Sequence, residues 1–451
     1  MLFLLPPAYK CNEISNTARF AVLIHSSRPV NLSGDFVAYG SILQVDKGIA
    51  GGMILSRIKL TRMAGLALLG FALCVTGAQI HQERFAESGG GYLLREEYPP
   101  LLYVPESQTG PEIYAASAVV LEAANGTILY AHNEHVRRAP ASTTKIMTAL
   151  VALLLGDARS LVEVGSWASW TPGSSIGLRK GDQISLGELL QGLMLRSGND
   201  AGVAIAEHLS GTENGFVSRM NRLSRQFGAL NTHFRNPHGL PAAGHYTTAY
   251  DLALITRYAL QNKEFARLVR TRDEELEWAG EHQTEPISNT NRLLWSFPGA
   301  DGVKTGTTSE AGPCLVASAT RGGRQLIVVV LRSADRWHDA SALLEYGFKS
   351  FRVMRLADET ENIAYTRIVN GSVPGLRIQP RRELAVVCRR GCEILIRLKT
   401  EWQKRVQAPV RAGQVLGRLT ALYDGEEIDG VDLIAKRRVE KKTRWRLWQG
   451  I

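Results

Sequence analysis

Only five cysteines stand in 451 residues, and they form neither a disulfide framework nor a metal centre. Cys74 and Cys314 lie in apolar runs and read as plain core. Cys388 and Cys392 flank Arg389-Arg390-Gly391, a tight turn between two strands. They can bridge in an oxidising compartment, but two ligands alone do not make a zinc site, so no metal is expected. Internal repeats are absent, which excludes a solenoid. Also missing at the one leader-like segment is a run of about 20 apolar residues, the length a spanning helix needs. What remains is ordinary globular material: 45% hydrophobic and 21% charged. The length accommodates one large domain plus a smaller one, or three small ones.

The net charge of +10 is concentrated late, from Lys436-Arg437-Arg438 through Lys441-Lys442 to Arg444 and Arg446, among Trp445, Leu447 and Trp448. Such a basic, aromatic tail (436–451) suits an anionic membrane surface, but its apolar residues share no clean face, and a solvated tail is the equal alternative.

Near the start, Arg57-Ile58-Lys59-Leu60-Thr61-Arg62 precedes the apolar run from Met63 to Val75, and the small residues Thr76-Gly77-Ala78 follow. Basic flank, short apolar core and small-residue exit read as a secretory signal peptide over 53–78. Residues 1–52 show no period, and Met53 stands just ahead of the basic patch, so 1–52 is expected to be a mis-called extension. Residues 79–112 are polar, with Gly and Pro clusters, and read as a linker.

From Ala115 onward the pattern is ordered. Two strand-like runs around Asn125-Gly126 form a hairpin signal. Helical runs are expected at 142–155, 186–195, 201–209, 216–228, 251–260 and 339–347, and strands at 302–305, 314–319 and 326–331. Strands at both ends with helices between them predict an α+β layer whose first and last segments share one sheet, over 113–350. After Phe351 the texture is short apolar strands broken by Gly, Pro and charge. That predicts a separate β-sandwich-like domain over 351–435.

Three short elements bear chemistry. In Pro140-Ala141-Ser142-Thr143-Thr144-Lys145, the serine sits at a helix start, where unpaired N–H groups favour negative charge. Lys145 shares its face three residues on. A serine needs something to take its proton, and a lysine does so only when its pKa is lowered. Ser197-Gly198-Asn199-Asp200 offers a hydroxyl and an amide. Asp301-Gly302-Val303-Lys304-Thr305-Gly306-Thr307 offers a strand-borne cation and hydroxyl beside a glycine that admits close backbone approach. Taken singly, each has a plainer reading: a capping serine with a surface lysine, a helix-joining turn, an exposed strand lysine.

Together, in this order and behind a leader, they resemble the serine penicillin-recognising enzymes. With Gly198 in the middle motif, the chain resembles the low-molecular-mass D-alanyl-D-alanine carboxypeptidases. Asn236-Pro237-His238-Gly239-Leu240, Tyr246-Thr247-Thr248-Ala249-Tyr250-Asp251 and Thr290-Asn291-Arg292-Leu293-Leu294-Trp295 fit as well. The resemblance implies a DD-peptidase/β-lactamase-like antiparallel sheet with helices on both faces, plus a small C-terminal all-β domain. It implies that Ser142 attacks the D-Ala-D-Ala carbonyl, Lys145 takes its proton, Ser197 relays a proton near Lys304, and Asn199 binds the acyl-side amide. Lys304, Thr305, Gly306 and Thr307 then form the substrate strand, with Ser142 and Thr307 amides as the oxyanion hole. No cofactor is implied.

Expected partners are peptidoglycan stem peptides and β-lactams, without nucleic acid. The expected location is outside the cytoplasm, at the outer face of a bacterium's cytoplasmic membrane. Two alternatives are a β-lactamase of the same fold, for which no clear deacylating glutamate motif lies between Ser197 and Lys304, and a non-catalytic wall-binding protein. His233 and His238 read as loop residues, and Arg292 and Trp295 as packing beneath the Lys304 strand. No chemistry is assigned to Glu122, Asp335 or Asp339.

Overall fold

The computed structural model describes residues 110–279 and 284–442. The leader, the residues before it, most of the linker and the tail from 443 onward lie outside them.

Alternating β-branched residues build a five-stranded antiparallel sheet: β1 (Ser117–Glu122), β2 (Ile128–His132), β3 (Ala300–Thr308), β4 (Gly312–Arg321) and β5 (Arg324–Leu331). Its order is β2-β1-β5-β4-β3, so strands from both ends of the domain meet at the β1–β5 pair, where Val119 faces Val329. The expected hairpin is present, with Gly126 at φ +80 in its turn. Period two sorts the side chains. Val119, Leu121, Val316, Ile327 and Val329 join the larger core, while Ala118, Val120, Leu315, Ala317 and Val328 join a second core on the opposite face.

The larger core is helical: α1 (Lys145–Leu155), α2 (Asn199–Ser210), α3 (Glu213–Gln226), α4 (Ala249–Gln261) and α5 (Lys263–Arg270). The other face is covered by α6 (Arg336–Ser350), which contributes Ala340, Leu343 and Leu344. Helix α1 reads KIMTALVALLL and is apolar nearly all round, as a helix enclosed by others must be. Each fully buried Ile, Leu or Met contributes at most about 1.5–3 kcal/mol relative to exposure. Helix starts follow capping chemistry: Thr212, Thr248, Asn262 and Asp335 each accept from a first-turn N–H. Asp335 and the neighbouring Asp339 are thereby structural. Asp339 also accepts from Tyr114 N and from Ser333 Oγ at 2.6 Å.

Beyond α6, strands β6 (Phe351–Ala357), β7 (Ala364–Val369), β8 (Gly375–Pro380), β9 (Leu384–Arg389), β10 (Ile396–Trp402), β11 (Arg405–Gln407), β12 (Val415–Tyr423) and β13 (Glu426–Ala435) form an all-β region. A six-stranded sheet in the order β10-β12-β13-β8-β7-β11 and the pair β6–β9 enclose a third core. Cys388 and Cys392 are free thiols. The chain stays paired past Ala435: Val439 bridges Val410, and Lys441 bridges Gly371. Among the described residues, no helix is long and apolar enough to cross a membrane.

Candidate active site

Pro140 opens a 3-10 turn, Ala141–Thr144, that delivers the chain into α1. Ser142 is therefore inside the turn rather than capping a helix, and neither turn has a side-chain cap. The turn is held by its own hydroxyls. Thr143 Oγ1 donates to Pro140 O at 2.6 Å, and Thr144 Oγ1 donates to Ala141 O at 2.9 Å. Ala141 takes φ +50, a left-handed conformation unusual for a residue with a Cβ.

Two glycines allow other segments to close on this turn. A methyl group at Gly239, itself at φ +91, would lie 1.8 Å from Ala141 O; one at Gly306 would lie 2.8 Å from Ser142 N. The first brings the 236–240 loop against the turn, and the second brings β3 against the Ser142 amide.

Lys145, in the first position of α1, is fully buried, which overturns the surface-lysine reading. Its Nζ lies 2.7 Å from Asn199 Oδ1, 2.7 Å from His238 O and 3.0 Å from Ser142 Oγ. Burial, then the charge of Lys304, drive its pKa well below the ordinary lysine value, against a smaller opposing pull from Asp200. A neutral amine has two N–H bonds and one lone pair. The Asn199 and His238 oxygens can only accept, so they take both N–H bonds and leave the lone pair for the Ser142 hydroxyl. That is the arrangement of a base beside a nucleophile.

Asn199 begins α2 and is braced from the 172–178 loop. Its Nδ2 donates to Pro172 O at 2.7 Å, and its N–H donates to Ser174 O. Asp200 ties the same loop by accepting from Ser175 Oγ and from the amides of Ile176 and Leu178. Ser197, two residues before Asn199, is 7% exposed and left-handed at φ +66. Lys145 bonds Ser142, Asn199 and His238, and Lys304 bonds no described residue, so no hydrogen bond joins either amine to Ser197.

The strand wall is different. Lys304 is 1% exposed and its Nζ has no hydrogen-bond partner among the described residues. Burial, and then Arg336, lower its pKa to about 7. Thr305 Oγ1 lies 2.7 Å from Thr290 Oγ1. Arg336, at the start of α6, donates through Nη1 to Gly306 O at 3.0 Å, Thr307 Oγ1 at 2.9 Å and Cys314 O at 3.2 Å. A buried amine with unmade hydrogen bonds, beside a hydroxyl and a guanidinium, can receive an anion when it is protonated.

The structure thus gathers Ser142, Lys145 and Asn199 into one hydrogen-bonded group and sets the Gly306 backbone against Ser142. The stretch 104–335 matches the D-alanyl-D-alanine carboxypeptidase family, and 351–441 matches the C-terminal domain of penicillin-binding protein 5. The chain belongs to the D-alanyl-D-alanine carboxypeptidase family.

Its activity is that of a serine-type DD-carboxypeptidase of the low-molecular-mass penicillin-binding type, a family that binds penicillin covalently. The chain is similar to D-alanyl-D-alanine carboxypeptidase DacF of Bacillus subtilis, with 33% identity over 72% of this chain and 86% of that one. It is 36% identical to DacD of Escherichia coli over the same shares, 72% and 86%. Crystal structures of penicillin-binding protein 5 from Haemophilus influenzae share 31% identity at a TM-score of 0.66, covering 74% of this chain and 100% of theirs.

Four participants of this carboxypeptidase site escaped the sequence reading. His238 does lie in a loop, but it is buried, and its carbonyl holds Lys145. Its imidazole is kept neutral, with a pKa near 3, by burial and then by Lys145. The 3.9 Å approach of Glu213 is therefore not a charged pair at neutral pH. Gly239, Thr290 and Arg336 are the others; the first two lie in quoted segments, whereas nothing local singles out Arg336. Trp295 is 47% exposed under Arg272, and so packs less than expected. Glu122 pairs with Arg324 at 2.7 Å, away from the chemistry.

Proposed function

We propose that this DD-carboxypeptidase acts on peptidoglycan pentapeptide stems through an acyl-enzyme on Ser142. Ser142 Oγ attacks the carbonyl between the two D-alanines as Lys145 Nζ takes its proton. The oxyanion is received by the amides of Ser142 and Thr307, each such donor contributing about 3–4 kcal/mol in comparable acyl transfers. Ser197, with Lys304, passes a proton to the leaving D-alanine amine. Asn199 holds the acyl-side amide, and Lys304 with Thr305 holds the terminal carboxylate. Water then attacks the ester and frees Ser142. β-Lactams enter by the same attack on their strained amide.

The observation that carries this reading is the Lys145 amine, deeply buried, with two acceptors fixing its N–H bonds and Ser142 Oγ at 3.0 Å. Its test is intact-mass measurement after penicillin, with the adduct mapped, beside D-alanine release from a pentapeptide. An adduct on any residue but Ser142, or D-alanine release that persists in Ser142→Ala, sinks it. Rapid loss of the adduct would instead indicate a β-lactamase. Residues 53–78 act as the export signal in this reading. The enzyme then works outside the cytoplasm, as its cell-wall relatives suggest, with the basic tail resting on the membrane surface. Deleting 436–451 without loss of membrane association removes the anchoring part.

A further inference from the structure

In the all-β region, period two gives the six-stranded sheet two unlike faces. On β7, Thr366 and Ile368 are buried while Tyr365, Arg367 and Val369 are exposed. On β8, Leu376 and Ile378 enter the third core and Arg377 is exposed; on the edge strand β11, Arg405 is exposed. Strands β8, β7 and β11 are neighbours, so the exposed residues share one outward face. Tyr365 stands opposite Arg377, and Arg367 stands opposite Arg405. Arg367 has Gly375 on its other side, and the Tyr365 ring lies across that glycine, where a methyl group would meet its hydroxyl.

Two features set this face apart from an ordinary solvated surface. Its three strands contain no Asp or Glu, and none of the three guanidiniums pairs with a carboxylate among the described residues. Arg355, Arg382, Arg418 and Arg438, elsewhere in the same region, each do. Strands also lie only about 4.8 Å apart, so Arg367 and Arg405 set like charges side by side. That arrangement costs stability until an anion lies over it. The course of the chain points to the same face. Lys441 bridges Gly371, and the Lys442 N–H donates to Asn370 O, just past the end of β7. The basic and aromatic residues Arg444 to Trp448 follow directly on that held segment.

We propose that the outward face of β8, β7 and β11 docks on an anionic lipid surface, as a contact separate from the tail. Arg377 and Arg405 are two strands apart, about 10 Å, on an open sheet face rather than in a pocket. They therefore match an array of headgroup phosphates and not a single anion. Tyr365 and Val369, 54% and 39% exposed, put apolar bodies among the charges, as a surface at the headgroup boundary requires. The inference rests on the membrane reading of the tail and adds a second contact to it. One contact lets the all-β region pivot; two fix its orientation.

The test uses the full chain and two sets of vesicles: equal parts phosphatidylglycerol and phosphatidylcholine, or phosphatidylcholine alone. The unmodified chain is expected to partition onto the first set and not the second. The triple variant Arg367→Gln, Arg377→Gln, Arg405→Gln should bind the anionic vesicles about 10²-fold more weakly in low salt, with D-alanine release unchanged. A control with Arg355→Gln, Arg418→Gln and Arg438→Gln removes the same charge from paired positions and should bind within severalfold of the unmodified chain. Undiminished binding by the first variant overturns the docking face and leaves the tail reading intact. An equal loss in the control also overturns the face, because net charge alone then explains the binding. Failure of the unmodified chain to bind anionic vesicles overturns both.

Discussion

On the helical wall of the cleft Lys145 Nζ meets three oxygens within 3.0 Å; on the strand wall Lys304 Nζ, just as deeply buried, meets none. Both pKa values are lowered, and burial leads in each case. What differs is what surrounds the nitrogen. Lys145 is provided for by the fold, so its proton inventory is set before any ligand arrives. Lys304 is left with desolvation of roughly 1–3 kcal/mol uncompensated, and an incoming carboxylate can return it. In the proposed mechanism one lysine moves a proton and the other meets a charge.

The largest expected effect breaks the first wall. Ser142→Ala and Lys145→Met should each lower D-alanine release by at least about 10³-fold, as removal of a nucleophile or its base does elsewhere. Lys145→Arg is the sharper variant, because it keeps a cation that cannot deprotonate. If it retained activity within tenfold, Lys145 would not be the base. Next comes the loop that holds His238 O in place. Gly239→Ala drives a methyl into Ala141 O and should cost about 3 kcal/mol in urea unfolding, with loss of penicillin acylation. Gly244→Ala is its control. It has a similar φ, +80, but open space around it, so only backbone strain of about 1 kcal/mol is expected.

The contrast between the walls was only half legible in the sequence. Ser142, Lys145, Asn199 and Lys304 became readable only through the joint resemblance of three motifs to a known family, since each motif alone has a plainer reading. His238 contributes a carbonyl, which every residue carries, so no spacing rule finds it. Arg336 reaches β3 from a helix thirty residues on, a contact made only by tertiary packing. The sheet was readable because alternating Val, Ile and Ala runs survive in β1, β4 and β5. The hairpin Asp273–Glu277 with Thr284–Ser288 was not. Its first strand is acidic, its second contains Pro286, and only Leu276 and Ile287 turn inward. Helix α5 hid for want of length: eight residues, fixed by the Asn262 cap and by Phe265, Leu268 and Val269.

A change of pH tests the second wall. Carboxylate binding needs Lys304 as an ammonium, and its pKa is about 7, so KM for the peptide should rise severalfold as pH climbs through that value. The acid limb belongs to Lys145, whose amine must be neutral for attack. Burial is the first cause of the low Lys304 pKa, and Arg336 is the second. Replacing that guanidinium by Gln removes a repulsive charge and moves the alkaline limb to higher pH. An alkaline limb in KM that stays fixed in Arg336→Gln means that another group sets it.

The smallest expected effect concerns one proton. Thr305 Oγ1 and Thr290 Oγ1 lie 2.7 Å apart, so one hydroxyl donates to the other. A substrate carboxylate can only accept, which obliges Thr305 to spend its single O–H on the ligand. Thr290 must then be the donor to Thr305. Thr290→Val keeps the shape and deletes that donor, leaving the Thr305 hydroxyl free to rotate. A neutral hydrogen bond of this kind is worth about 1 kcal/mol, so KM for the pentapeptide should rise about fivefold with kcat nearly unchanged. A fall in kcat at constant KM would mean that Thr290 acts in the transition state instead. That outcome would move Thr305 from the carboxylate wall to the proton-transfer wall.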